Sequence, residues 1–280
     1  MPSFPWRKYT SKELINEFFR LGKKINEQIT FPLKRSYIGY LCSNYFFQKQ
    51  RLSTSKHKCM SSVEYWKKKS PTEKKRIRQY SANHHGDDFR GIVSLSHTPA
   101  QFPVVAAGKL YLYFDASCVF DPYAGWGDRC LAAMAANIDY IGIDSNPNLL
   151  TPYDRMIKKF LPYTDSSIEM IYQKSEDVDI KDLEFDLVFT SPPFWTQDKI
   201  LLENYADCET DYSTFLQHSL IPMFRKCLRR KVWICLHLPE NMYKDLVPIV
   251  GKCNKKIDIN SSTRPHNVGF QDIIYCWKNG

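Results

Sequence analysis

Hydrophobic and polar positions follow two rhythms along the chain. In the first hundred residues the apolar positions recur at helical spacing. Within "SKELINEFFRLGKKINEQI", Leu14, Ile15, Phe18, Phe19 and Leu21 predict an amphipathic helix. "SYIGYLCSNYFFQKQRL" predicts a second. "SVEYWKKKSPTEKKRIRQY" reads as further helix, with Ser70-Pro71 and Glu73 marking a helix start. "SANHHGDDFRG" is turn-rich and reads as a junction. From about residue 116 the rhythm changes to short apolar runs separated by helical stretches. "SCVFD", "DYIGID", "SIEMIYQ", "FDLVFTS" and "KVWICLHL" predict five strands, and "KKIDIN" with "DIIYCWK" a closing hairpin. The intervening "GDRCLAAMAAN", "PNLLTPYDRMIKKF", "YSTFLQHSLIPMFRKCLRR" and "NMYKDLVPIVGKC" predict helices. Strand–helix alternation of this kind predicts a doubly wound α/β sheet, mostly parallel and covered on both faces.

Charge divides the chain at the same place. Residues 1–100 hold 20 Lys and Arg against 7 Asp and Glu, a net of +13, so the overall +9 leaves −4 for the remainder. The expected organisation is a basic, mostly helical segment over residues 1–95 and an α/β domain over 96–280 that binds its ligand without the first part. A basic segment suits a polyanionic partner, although a solvated helical face accounts for the same charges. Trp66 stands beside Lys67, Lys68, Lys69, Lys74, Lys75, Arg76 and Arg78. Cations next to an aromatic fit a nucleic-acid backbone and its bases, so these eight residues are the candidate nucleic-acid contacts. Hydrophobic content of 43% supports a packed core. No apolar run reaches the length of a membrane span, so no membrane partner is expected. The N-terminus carries charges where a secretory signal would be apolar. Nine cysteines without a C-x-x-C pair point to reduced thiols inside the cell, in cytoplasm or nucleus. His57, Cys59, His84 and His85 match no compact metal-ligand spacing, so no metal is expected. Nothing in the pattern sets an oligomeric state.

Two strand ends carry the chemistry. In "VFDPYAGWGDR" the first strand ends at Asp121 and a turn with Gly125 and Gly127 opens a helix. Those glycines permit backbone conformations and a close ligand approach that larger residues forbid. The next strand ends at Asp144, where a carboxylate can accept both hydroxyl protons of a ribose. A tight turn with a helix cap is the plainer account of the same residues. The second strand end is "SPPF", Ser191 to Phe194, beyond the fourth strand. In doubly wound sheets the first and fourth strands are neighbours at the switch point, and ligands bind beyond their carboxyl ends. Pro192 and Pro193 lack N–H groups and fix φ, leaving a rigid run of carbonyl acceptors. Ser191 adds a hydroxyl and Phe194 a flat face. Acceptors beside a stacking ring suit a base with an exocyclic amino group. Hydrogen bonds to Ser191 and the Pro192 carbonyl would draw its nitrogen toward tetrahedral geometry and free its lone pair for attack.

"DPYAGWG", "IGID" and "SPPF", in this order, resemble the S-adenosylmethionine-dependent amino-methyltransferases of nucleic acids, over roughly residues 98–280. The resemblance implies a seven-stranded Rossmann-like methyltransferase sheet and S-adenosyl-L-methionine as cofactor. It places Asp121, Tyr123, Gly125 and Gly127 around that cofactor, Asp144 on its ribose, and Ser191, Pro192, Pro193 and Phe194 at the target base. Phe102 is the candidate contact from the segment before the first strand, and Glu176 or Asp177 the next acidic position. The implied activity is methylation of adenine N6 or cytosine N4, with DNA ahead of RNA. A non-catalytic nucleic-acid-binding partner of a methyltransferase and a protein amide methyltransferase are the alternatives.

Overall fold

The computed structural model describes residues 3–34, 36–55, 58–84, 88–96, 98–201, 211–259 and 272–278. The apolar runs of the second half become strands β1 (Cys118–Asp121), β2 (Asp139–Ile143), β3 (Ile168–Ile171), β4 (Leu187–Thr190), β5 (Trp233–His237), β6 (Lys255–Asp258) and β7 (Ile273–Lys278). They form one seven-stranded sheet in the order β3-β2-β1-β4-β5-β7-β6. β1 to β5 are parallel, and β7 lies antiparallel between β5 and β6. The expected doubly wound, seven-stranded sheet is therefore present. β1 pairs with both β2 and β4, which makes their carboxyl ends the switch point.

Side chains alternate across the strands and build two cores. Val119, Tyr140, Leu187, Phe189, Cys235 and Cys276 face one side. Phe120, Ile141, Val188, Ile234, Leu236 and Tyr275 face the other. The second face is covered by α9 (Tyr212–Thr214), a π-type turn over Phe215–Leu220, α10 (Ile221–Leu228) and α11 (Glu240–Val250). The first is covered by α6 (Val104–Tyr113), α7 (Asp128–Ala136), α8 (Leu150–Phe160) and two helices from the basic segment, α1 (Ser11–Ile25) and α2 (Tyr40–Ser53).

That last placement corrects the expected division at residue 95. Leu14, Phe18, Leu21 and Ile25 of α1, with Cys42, Phe46 and Phe47 of α2, belong to the same core as the sheet. Phe18 stacks on Phe160 of α8, with ring centroids 4.5 Å apart and planes at 10°. α3 (Ser62–Lys68), α4 (Pro71–His84) and α5 (Asp88–Leu95), with Phe4 and with Leu52 from the end of α2, build a separate small core of Phe4, Leu52, Val63, Trp66, Ile77, Phe89 and Ile92. The "SANHHGDDFRG" junction is largely helical, because α4 runs on to His84 and α5 begins at Asp88. Ile77 and Ser81 of α4 are buried, so packing overrides the local turn composition. The start of α4 follows its sequence signature, with Ser70 N–H donating to Glu73 at 2.8 Å and Glu73 N–H to Ser70 Oγ at 3.3 Å. His57 and His85 lie outside the described residues.

Candidate active site

At the end of β1, Asp121 has no exposed surface. Its Oδ2 accepts from Arg129 Nε at 2.6 Å and Tyr140 Oη at 2.7 Å, and its Oδ1 from Thr190 Oγ1 at 2.6 Å. Arg129 also donates to the Tyr123 carbonyl. One carboxylate thus ties together β1, β2, β4, α7 and the Gly-rich turn. The buried oxygens of Asp121 therefore brace the turn.

The turn's two glycines serve different ends. Both have left-handed backbone, φ +64° at Gly125 and φ +76° at Gly127. A Cβ at Gly125 would meet nothing nearer than 3.9 Å, so that side of the turn is open. A Cβ at Gly127 would lie 2.4 Å from Cε2 of Phe47. Gly127 is thus closely approached by Phe47 of α2.

Asp144 follows β2 and is half-buried. Its Oδ2 accepts Gly125 N–H at 2.8 Å and its Oδ1 accepts Asn146 N–H at 2.9 Å. Tyr123 donates to Ser219 Oγ at 3.0 Å, and Ser219 donates to Glu176 at 2.7 Å. Burial pushes the Tyr123 phenol upward, so it keeps its proton. Of the two acidic alternatives, Glu176 joins this line while Asp177 is exposed.

Phe102 is buried. Its N–H donates to Asp128 Oδ2 at 3.2 Å, and its ring lies edge-on to Phe189 at 5.7 Å and to His237 at 5.3 Å. Asp128 also accepts from Gln101 at 3.2 Å, and Gln101 donates to Ser43 of α2 at 2.9 Å. Burial pushes the Asp128 carboxyl up to about 6, against the pull of Ser43, Arg51, Arg129 and Gln101.

The tetrad stands beside this turn. Thr190, the residue before it, is the one bonded to Asp121. Pro192 is buried, and Ser191, Pro193 and Phe194 are half-buried. Ser191 Oγ lies 3.2 Å from His237 Nδ1, and the Phe194 ring is 5.2 Å from the His237 ring. Beyond the tetrad, Trp195 is buried between Tyr212 and Phe215, and Asn241 donates to the Trp195 and Thr196 carbonyls at 3.1 and 3.2 Å. The corner is thus fixed from α9 and α11. Among the site residues, Thr190, Arg129, Asp128 and His237 escape the sequence reading. A histidine that ends the apolar run "WICLH" beside the switch point is the one signal that marks His237.

The basic candidates separate. Trp66 is 1% exposed, sits in the small core, and is flanked by the cations of Lys74 and Arg78 at 5.3 and 5.5 Å from its ring. Its ring offers no stacking face to a base, and Lys74 is buried beside it, so both are corrected to packing residues. Lys69 pairs with Glu73 at 3.1 Å and covers the Tyr65 ring at 4.8 Å. Lys67, Lys68, Lys75, Arg76 and Arg78 are exposed.

No protein-family model matches the chain, and no curated protein matches it. Solved structures do. A tRNA (uracil-54, C5)-methyltransferase from Pyrococcus abyssi in complex with S-adenosyl-L-homocysteine matches with TM-score 0.43 and 15% identity, over 62% of this chain and 37% of that one. TrmN from Thermus thermophilus matches with TM-score 0.41 and 15% identity, over 63% and 49%. An rRNA methylase from Streptococcus thermophilus matches with TM-score 0.43 and 12% identity, over 65% and 99%. The matched part of this chain spans about a third to a half of the length of the first two.

Proposed function

We propose that the chain is an S-adenosylmethionine-dependent methyltransferase acting on the exocyclic amino group of a nucleobase, adenine N6 or cytosine N4. The observation that carries this reading is the 2.6 Å bond from Thr190 to Asp121. It joins the root of the tetrad to the root of the Gly-rich turn, so an acceptor corner stands beside an open glycine surface and a carboxylate. These residues fit the cofactor: Gly125 leaves room above the turn, and Asp144 is a half-buried carboxylate at the end of β2, the type of group that takes ribose hydroxyls. Bound S-adenosylmethionine supplies an electrophilic sulfonium methyl. Ser191 Oγ and the Pro192 carbonyl accept the two amino protons of the base, and Phe194 stacks on its ring. Those bonds aim the amino lone pair at the methyl. The methylated nitrogen is strongly acidic, so it releases a proton without a dedicated base.

The tetrad reads a base edge and not a sugar, so DNA and RNA are assayed in parallel. Each is incubated with the protein and S-adenosylmethionine, digested, and its nucleosides are weighed by mass spectrometry. N6-methyladenine or N4-methylcytosine derivatives are the expected products. Cofactor binding without any nucleoside product would favour a non-catalytic partner, and methyl incorporation into protein an amide methyltransferase.

A further inference from the structure

His237 ends β5 and is buried. Phe102 and Phe194 lie against it, with ring centroids 5.3 and 5.2 Å away. Its two nitrogens meet different partners. Nδ1 is 3.2 Å from Ser191 Oγ. Nε2 is 3.5 Å from Oδ1 of Asp272, the residue before β7, an electrostatic contact outside hydrogen-bond geometry. An ionised carboxylate only accepts, and at this separation its field favours the tautomer with the proton on Nε2. Nδ1 then carries a lone pair toward Ser191. Histidine and Asp272 are both buried, which weakens competition from water for either contact.

We propose that His237 is a positioning residue: by accepting the Ser191 hydroxyl proton at Nδ1, it fixes Ser191 Oγ as an acceptor toward the target. A serine hydroxyl in water donates and accepts equally well. With its proton held on the imidazole, Ser191 presents only lone pairs. An amino group satisfies them, whereas a base with a carbonyl at the same edge would set acceptor against acceptor. The arrangement therefore reads an amino edge against guanine O6 or uracil O4 before any methyl is transferred. The inference rests on the tetrad reading above.

The test uses the full chain with tritiated S-adenosylmethionine and, as probes, a random-sequence single-stranded DNA and its RNA counterpart. Single-turnover methyl transfer is measured beside cofactor calorimetry and thermal melts. His237→Ala should slow transfer by about tenfold, the order of one lost hydrogen bond, with cofactor affinity unchanged. His237→Asn should recover most of that loss, because its Oδ1 can accept where Nδ1 does. Asp272→Asn keeps the ring in place but no longer sets its tautomer, so it too should slow transfer, and it carries the test if His237→Ala does not fold. In a Ser191→Ala background none of these changes should slow transfer further, since the group they orient is gone. If Ser191→Ala is slow while the His237 and Asp272 variants run at full rate, or if their effects multiply with that of Ser191→Ala, the inference is wrong. If wild type labels neither probe, or Ser191→Ala transfers at the wild-type rate, the tetrad reading itself fails and this inference falls with it.

Discussion

Gly125→Ala and Gly127→Ala change neighbouring residues of one turn in the same way, and they should fail differently. At Gly127 the substitution meets two costs. A left-handed φ of +76° in a residue with a Cβ costs about 1–2 kcal/mol. The new methyl would also lie 2.4 Å from Cε2 and 2.7 Å from Cζ of Phe47. That ring is 1% exposed and held edge-on against Tyr153 at 4.9 Å, so it cannot swing aside freely. Overpacking of this kind costs about 1–3 kcal/mol. The sum, about 2–5 kcal/mol, should lower Tm by roughly 10 °C. At Gly125 only the backbone cost applies, because the nearest atom is 3.9 Å away. Tm should fall by a few degrees, but the methyl projects over the open face of the turn and should weaken S-adenosylmethionine binding. Melts and calorimetry on both variants separate the effects. A third variant closes the argument: Phe47→Leu should recover part of the Gly127→Ala loss. A Gly127→Ala protein that melts like wild type, or shows no coupling to Phe47→Leu, would refute the assignment of Gly127 to helix packing.

Other outcomes follow from the same geometry. Asp121→Asn leaves the buried Arg129 guanidinium without its charge partner and should cost about 3–5 kcal/mol of stability, read by denaturant titration; a variant of wild-type stability would refute the bracing role. Asp144→Ala removes charged acceptors and should weaken cofactor affinity by about 1.5–3 kcal/mol, with a modest drop in Tm because the Gly125 N–H loses its acceptor. Trp66→Ala should lower Tm, while reversing Lys67, Lys68, Lys75 and Arg76 to Glu should weaken nucleic-acid binding and flatten its salt dependence; affinity indifferent to salt would count against the strip as a phosphate contact. Asp128 titrates at about 6 in the fold, above its ordinary value. Its contribution to stability is therefore complete at acid pH and lost as pH rises through about 6. Melts from pH 5 to 7 should show that loss, and Asp128→Asn should flatten it.

The parts of this molecule that were legible in sequence are those where a side chain's type and its place on an element coincide. β1, β4 and β5 read as strands because short apolar runs end in polar or glycine residues, and the same ends locate the Gly-rich turn and the tetrad. Asp121 shows the limit. A carboxylate at a strand end is visible, but Arg129, Tyr140 and Thr190 reach it from three other elements. Trp66 was misread for a related reason. Its sequence neighbours are cationic, yet the helix turns Val63 and Trp66 inward while Lys67 and Lys68 stay in water. His237 gains meaning only when β7 brings Asp272 to its far side.

The same distinction changes what the basic segment can be. Its amphipathic helices display apolar faces in sequence, but not what covers them. α1 and α2 spend theirs on the sheet's own core, and α2 sends Phe47 against the turn at Gly127. Ser43 of α2 receives the Gln101 bond that reaches on to Asp128 and the Phe102 N–H. A truncation at residue 90 would therefore uncover the first core and unbrace the glycine turn, so it cannot separate cofactor binding from polymer binding. A basic surface remains on the outer side of α3 and α4, where Lys67, Lys68, Lys75, Arg76 and Arg78 are exposed around a core that holds Trp66 inside. That surface carries exposed cations around a buried Trp66, which suits phosphate contacts. In the proposed enzyme, sequence-independent affinity then comes from α3 and α4, and the choice of base from Ser191, His237 and Phe194.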